Sequence, residues 1–423
     1  MSESSSRRRT VARHGQLSSP TAVGQLLKLI GIALAVVLVS GVGVVGYVIG
    51  GLTGTVSANA VELDGQKELP PDIAAYEGGF DILLTGVDTC EPKYAHLFGE
   101  RCEDREGDAT LNDVNLLVHV SSEPRRITAV SFPRDLMLPI PECTDIDGNI
   151  SSAMSKQPLN VAYEHGGEKG GLNCVAKTIS ELTGEDIEFA AKVTFGGVIE
   201  ITDAIGGVDV CLASPIKDKY TGLDMAAGNH TVQGLQALQF LRTRKGVGDG
   251  SDLGRIGNQQ QYMSSLARKM ISGEVLGNVP VMLKLADTGL SNIEASTSLA
   301  DPMKIVQIAL AVKSVPFKDI VFVQYPTGAD PDNPNKVVPD REAATALWDA
   351  ISANKQLQIT YENTSNDGVV VKEPVDGESP APTDTASPDA TAAPEPTEVA
   401  ELPDTIKGNS AAVQTCSNGN VRG

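Results

Sequence analysis

The sequence predicts one α/β domain built on a central sheet, held outside a membrane by an N-terminal anchor and followed by a disordered acidic tail. Three observations predict this. Short apolar runs alternate with helical patterns from about Phe80 onward, an uncharged stretch of bilayer length precedes them, and a proline-rich acidic stretch follows. The formal net charge of -20 argues against nucleic acid as a partner, because phosphate backbones select for basic faces.

The first element is the anchor. Residues 29–52 read LIGIALAVVLVSGVGVVGYVIGGL, with no charge between Lys28 and Glu62. About 20 apolar residues suffice to cross a bilayer. Arg7, Arg8, Arg9, Arg13 and Lys28 precede the span, so positive charge stays inside and everything after Leu52 is external. The stretch Ala58-Asn59-Ala60 resembles a signal-peptidase site, but the apolar run exceeds a signal core, and an uncleaved anchor is the favoured reading. The expected organisation is a cytoplasmic segment (1–28), the transmembrane helix (29–52), a juxtamembrane linker (53–78) and the domain (79–362). A disordered tail (363–405) and a C-terminal segment (406–423) complete it.

Within the domain, FDILLTGVD (80–88), VNLLVHVS (114–121), RITAVSF (126–132) and DIVFVQYP (319–326) read as buried strands. LNCVAKTISELTG (172–184) reads as a helix ended by Gly184, and further helices are expected over 196–207, 233–242 and 254–271. The tail contributes -9 of the net charge, with ten acidic residues against one lysine and almost no large apolar side chains, too few to bury a core. Six cysteines in an exported chain permit disulfides. Cys90–Cys102 and Cys143–Cys174 are plausible pairs, while Cys211 is either a buried thiol or the partner of Cys416.

Several motifs carry nothing. Gly41 to Gly46 spells a dinucleotide fingerprint but lies inside the apolar span. The DIDGN stretch has Lys156 where a calcium loop needs its last glutamate. The five histidines are scattered, and no G-x-S-x-G elbow occurs, so zinc and serine hydrolysis lose support.

What remains is charge at the ends of strands and helices. Asp88 closes one strand and Asp113 opens the next, where two carboxylates at a sheet edge could share a metal. Arg134 follows a buried strand. Arg242 and Arg244 share a face if the chain is extended there, and Arg255 and Gln259 share a helix face. The glycines between them make a pliable link, and Gln260 and Gln261 read as helix surface. Arginine forks suit phosphate, and two carboxylates with phosphate oxygens suit Mg²⁺. The chemistry points to an exported, membrane-proximal site for a pyrophosphate or phosphodiester.

DILLTGVD, NDVNLLVHV, SFPRDL, LNVAYEHGG, IGGVDV, GLQALQFLRTR and SDLGRIGNQQQ stand here in the order and spacing of the LytR–CpsA–Psr family, which the chain resembles over about 79–362. The resemblance implies a three-layer α/β/α domain with an apolar interior for a polyprenyl chain. It implies a membrane-anchored enzyme at the cell membrane that moves a glycopolymer from a polyprenyl-pyrophosphate carrier onto peptidoglycan through a phosphodiester. By motif, Asp88 and Asp113 would hold Mg²⁺, and Arg134, Arg242, Arg244, Arg255 and Gln259 would grip the pyrophosphate. Asp252 would orient those arginines or assist proton removal. Two departures stand out. Leu111-Asn112-Asp113-Val114 replaces the commoner Arg-Ser/Ala-Asp-Thr, and Pro158 replaces a lysine, a role left to Lys156 if its loop bends. The alternatives are a pyrophosphatase using the same site and a non-catalytic polyprenyl-lipid-binding scaffold.

Overall fold

The structure, a computed structural model, describes residues 60–64, 79–98, 102, 110–167, 169–271, 275, 285, 288–289, 293–300, 302–359, 368–374 and 398–420. The chain divides into two units, Met1–Gly51 and Leu52–Gly423, and all described residues belong to the second. The anchor expected over 29–52 lies outside the described residues, among which no helix is long and apolar enough to cross a membrane.

In chain order the main elements begin with β1 (Phe80–Val87), β2 (Asn112–Val120), β3 (Ile127–Phe132), α1 (Gly171–Thr183), β4 (Phe189–Val193) and α2 (Phe195–Ala204). Then come β5 (Val208–Leu212), β6 (Gly228–Val232), α3 (Gly234–Arg242), α4 (Asp252–Ile271), β7 (Ile293–Ala295) and α5 (Pro302–Val312). The last are β8 (Ile320–Gln324), α6 (Arg341–Ser352), β9 (Val369–Pro374), β10 (Gly408–Ser410) and β11 (Val413–Ser417). A seven-stranded mixed sheet runs β7-β4-β1-β2-β3-β8-β10, and a second, four-stranded sheet runs β6-β5-β11-β9.

The main sheet is covered on both faces because its strands are apolar on both. Leu83 and Val87 of β1 share one core with Leu117, Val130, Ile179 of α1 and Leu347 of α6. On the opposite face Leu116, Ala129 and Phe322 meet Met263 and Ala267 of α4, and further along Phe80 and Val120 meet Ile308 of α5. The strands and helices therefore stand where alternation and helical period place them. Gly184 ends α1 in the left-handed region (φ 82°), donating its N–H to the Ser180 carbonyl.

The domain is wider than expected at both ends. Val61 and Leu63, in the expected linker, are buried, and Val61 N–H donates to the Ala295 carbonyl at 2.9 Å. The expected disordered tail is interrupted at both ends: β9 pairs with β11, and Val399–Glu401 pairs in parallel with Gln356–Gln358. Averaged over the whole stretch, composition hides Val369, Val370 and Val371, a β-branched run, and the buried Leu402. Residues 375–397 lie outside those described. The C-terminal segment belongs to the core as well, with Ile406 and Ala411 fully buried.

Disulfides join Cys90–Cys102, Cys143–Cys174 and Cys211–Cys416, so Cys211 is not a free thiol. The last ties β5 to β11 across 205 residues of sequence. Cross-linking so distant a pair restricts the unfolded chain, and the double variant Cys211→Ala/Cys416→Ala is expected to lose about 3 kcal/mol, read by denaturant unfolding.

A second expectation concerns Glu188. Burial, with the nearby Asp81 carboxylate adding to it, pushes its carboxyl up to about 7. A raised folded value favours the protonated acid, so stability is full at low pH and declines as pH rises from about 4.5 through 7. Glu188→Gln should therefore match the wild type at pH 4.5 and exceed it by on the order of 2 kcal/mol at pH 8, measured by urea unfolding at the two values.

Candidate active site

The site begins with an irregularity where β1 ends and β2 starts. Gly86 pairs with Val114 but Val87 pairs with Asn112, which leaves Asp113 as the extra residue of a β-bulge. One turn of register away, Asp88 continues the ladder to Leu111, and its Oδ1 accepts the Leu111 N–H at 3.0 Å. The two aspartates thus stand on neighbouring strands at one sheet edge. Asn112 explains its own presence: fully buried, it donates to Asn115 Oδ1 (2.9 Å) and the Leu159 carbonyl (3.1 Å) and accepts the Tyr163 N–H (3.0 Å). Its amide holds the bulged strand to the Leu159–Tyr163 segment.

Arg134 lies just past β3 and donates through Nη1 to Asp113 Oδ1 at 2.9 Å. Asp252 opens α4 beneath it, with Oδ1 at 2.9 Å from Arg255 Nη2 and 3.8 Å from Arg134 Nε. Arg255 also donates to the Asp113 main-chain carbonyl at 2.8 Å. Burial works against the Arg134 charge, but Asp113, Asp252 and Asp135 outweigh it and raise its pKa. Asp135 is itself occupied by Lys336 at 2.5 Å, and although burial alone would raise it, Lys336 and Arg134 hold it below the usual carboxylate range.

The other arginines sit on a loop whose organiser the sequence reading missed. Asp218, buried at the end of a short strand, accepts through Oδ2 from Thr243 Oγ1 (2.8 Å) and from the N–H groups of Arg244 (3.1 Å), Lys245 (3.1 Å) and Gly246 (3.2 Å). Burial alone would raise its carboxyl, yet the Thr243 hydroxyl and these amides bring it below the ordinary value. Gly248 (φ 52°) and Gly250 (φ 79°) then turn the chain in the left-handed region around the fully buried Val247. The glycines make a fixed double turn, in place of the pliable link expected.

The loop is also held from the far end of the chain. Gly248 N–H donates to the Asn418 carbonyl (3.0 Å), Asn420 N–H to the Gly246 carbonyl (2.8 Å) and Asn420 Nδ2 to the Lys245 carbonyl (2.9 Å). Only the acidic residue type of Asp218, in a turn-like stretch, could have hinted at its part; nothing in the sequence pairs 418–420 with 245–248.

Arg134, Arg242, Arg244, Arg255, Gln259 and Asp113 converge on one cavity of about 630 Å³ between the main sheet and α2, α3 and α4. Its deeper walls are apolar, with Leu84, Leu116, Ile201, Leu238, Met263 and Phe322 among them. Arg242 lies 4.3 Å from the Phe195 ring and 5.4 Å from that of Phe98, which keeps its guanidinium at the rim. The Nε atoms of Arg134, Arg244 and Arg255 are buried and make no hydrogen bond. Three such donors around one cavity are a place prepared for an anion.

Other expected residues fare differently. Gln259 lines the cavity, but its Nε2 donates to the Leu241 carbonyl (2.9 Å), and Asn258 donates to Phe240 (2.7 Å), so together they close the C-terminus of α3. Gln260 and Gln261, read as surface, are 3% and 2% exposed, because α4 is covered on two sides. Lys156 does not reach the cavity. It lies on the strand Met154–Pro158 and pairs with Asp330 (2.9 Å) and Asp332 (2.7 Å), so the required bend of its loop does not occur. Asp88 is one residue beyond the cavity-lining Val87. Asp88 and Asp113 offer the hard oxygen donors that Mg²⁺ takes. Among the described residues the one converging trio of metal-type ligands is elsewhere, at the opposite end of β1 and β2: Asp81, His119 and Glu185.

Residues 47–353 match the pattern of the LytR_cpsA_psr family. Cell wall biosynthesis protein LcpA of Corynebacterium glutamicum (strain ATCC 13032) is 28% identical over 312 residues, covering 70% of this chain and 58% of LcpA. The chain thus spans little more than half the length of that relative. The polyisoprenyl-teichoic acid–peptidoglycan teichoic acid transferase TagT of Bacillus subtilis (strain 168) is 26% identical over 255 residues, covering 59% of this chain and 68% of TagT. Among solved structures, the LytR-Csp2A-Psr enzyme from Actinomyces oris aligns with a TM-score of 0.48 at 21% identity, over 70% of this chain and 96% of that one.

Proposed function

The chain belongs to the LytR_cpsA_psr family, and from that premise we propose that it is a membrane-anchored phosphotransferase. It moves a cell-wall glycopolymer from a polyprenyl-pyrophosphate carrier to a peptidoglycan hydroxyl. The observation that carries this reading is the junction, in one cavity, of apolar walls with three buried guanidinium Nε atoms that make no hydrogen bond. An apolar chain ending in a pyrophosphate has that same division. The names of the relatives, a cell wall biosynthesis protein and a teichoic acid transferase, agree with it.

In this reading the lipid lies along Leu84, Leu116, Leu238 and Met263, which exclude water and bring the pyrophosphate to Arg134, Arg244 and Arg255. The guanidiniums supply the donors where negative charge builds on the phosphoryl oxygens; Asp252 holds the Arg255 guanidinium, and Asp218 fixes the main chain that carries Arg244. The acceptor hydroxyl attacks the sugar-bearing phosphorus, a new O–P bond forms, and the P–O–P bond breaks to release lipid phosphate. Mg²⁺, when held by Asp88 and Asp113, would neutralise charge on the pyrophosphate. Positioning and electrostatics carry such a reaction, so no side-chain nucleophile is needed.

The test is product analysis with the full chain in detergent, given Mg²⁺ and a polyprenyl-pyrophosphate glycan. Release of lipid phosphate coupled to label appearing on peptidoglycan is the expected result. Release that is unchanged when the acceptor is left out, with free glycan phosphate as product, would make the protein a pyrophosphatase. No release in either case would leave a lipid-binding protein.

A further inference from the structure

The face of α4 turned away from the cavity borders a second pocket, about 560 Å³, floored by β5 and β6 and closed by Gln414 of β11. Two of its groups are incompletely matched among the described residues, Arg268 in charge and Gln261 in hydrogen bonding. Arg268 is half-buried, and its guanidinium donates to Ser264 Oγ (3.0 Å), Ser265 Oγ (2.8 Å) and the Ala411 carbonyl (3.0 Å). No carboxylate pairs with it among the described residues, and burial depresses its pKa. Buried charges are ordinarily matched by an opposite charge, because neutral partners recover only part of the lost hydration. Gln261, 2% exposed, lines the same pocket, and its Oε1 is buried without a hydrogen bond. A buried acceptor of this kind asks for a donor.

The surroundings favour an anion. Lys269 stands at the pocket with Nζ on the Gly207 carbonyl (2.7 Å), and His230 Nε2 lies 2.8 Å from the Ala226 carbonyl. The carboxylate that lines it, Asp209, is engaged by the Thr231 hydroxyl at 2.6 Å. An oxyanion would answer Arg268, and a neighbouring hydroxyl would answer Gln261.

We propose that this pocket is a second binding site, for a sugar bearing a phosphate or carboxylate group, with Arg268 holding the oxyanion and Gln261 Oε1 accepting from a sugar hydroxyl. The site is separate from the transfer cavity and does not rest on the transferase reading. Arg255 and Arg268 are thirteen positions apart on α4, which at 1.5 Å per residue is roughly 20 Å. A molecule seated here would contact the enzyme without entering the reaction.

Calorimetric titration of the full chain in detergent tests this, first with inorganic phosphate. Two sites are expected, one removed by Arg244→Ala and the other by Arg268→Gln. Gln261→Glu would set a carboxylate in the pocket that Arg268 lines and should remove the second site too, which keeps the test decisive if Arg268→Gln does not fold. Glucosamine 6-phosphate and N-acetylmuramic acid then separate the phosphate from the carboxylate source, and Gln261→Leu should weaken the sugar that binds by at least tenfold. A single phosphate site lost in Arg244→Ala, an unchanged second site in Gln261→Glu, or failure of both sugars to displace phosphate would overturn the proposal. The Arg244→Ala arm reports on the transfer cavity alone, so failure of one site is told apart from failure of the other.

Discussion

Replacing Arg244 with alanine is expected to lower kcat for the proposed polymer transfer by about 10²- to 10³-fold while the protein stays folded. The side chain is only half-buried and forms no salt bridge among the described residues, so its removal breaks little of the fold. What it supplies is a donor at the cavity, and in the proposed reaction that donor is worth most when charge builds on the transferring phosphoryl group. The same reasoning separates Arg244 from Arg134 and Arg255. Both of those are tied to Asp113 or Asp252, so alanine there would also strand a buried carboxylate. Steady-state rates of lipid-phosphate release, with circular dichroism as a check on folding, decide the matter. A rate within threefold of wild type would remove Arg244 from the site. Arg244→Lys should recover part of the activity, because it restores charge but not the planar fork.

Asp218→Ala is expected to be the most damaging single change outside the arginines, costing about 3 kcal/mol of stability and most of the activity. One carboxylate oxygen receives the Thr243 hydroxyl and three consecutive amides, so alanine leaves several buried donors with nothing to meet. The loop carrying Arg244 would then lose its shape even though the arginine is intact. Asp218→Asn is the sharper experiment. It keeps the volume, but its amide nitrogen cannot accept, so that nitrogen faces either these four donors or the Tyr220 N–H that meets the other oxygen at 3.0 Å, and the contact becomes repulsive. Urea unfolding should show a loss for both variants. The transfer rate at saturating substrate should fall further than the loss of folded protein accounts for. An Asp218→Asn protein with normal stability and normal kcat would show that the loop holds its form without the carboxylate.

Much of the frame could be read in advance because it follows from local rules. The apolar runs of β1, β2 and β3 alternate faces as a sheet requires, Gly184 marks the end of α1, and Arg255 with Gln259 follows helical spacing. Family motifs brought Asp113, Arg134, Arg242, Arg244 and Arg255 onto one list, and the fold brings those five around one cavity. The errors share a cause. Lys156 was placed by nearness to a motif, yet its charge is satisfied by Asp330 and Asp332, 174 and 176 positions away. Gln260 and Gln261 were read as surface because polarity was taken to mean solvent, but α4 is packed from two sides. The tail was judged by average composition, and a short strand at each end is too small to alter an average.

Residue chemistry is legible along the chain alone: an apolar span, three groups of arginines, two aspartates at strand ends, and the order of strands and helices. These depend on neighbours a few positions apart, where period and turn preference act. Only the tertiary structure decided which oxygen answers which donor. Asp218 reaches the arginine loop from 26 residues before Arg244, and Asn420 reaches it from 175 residues after Lys245. Such pairings are set by how sheets and helices stack, since a buried donor must find its acceptor wherever packing places one, and that place has no period in the chain.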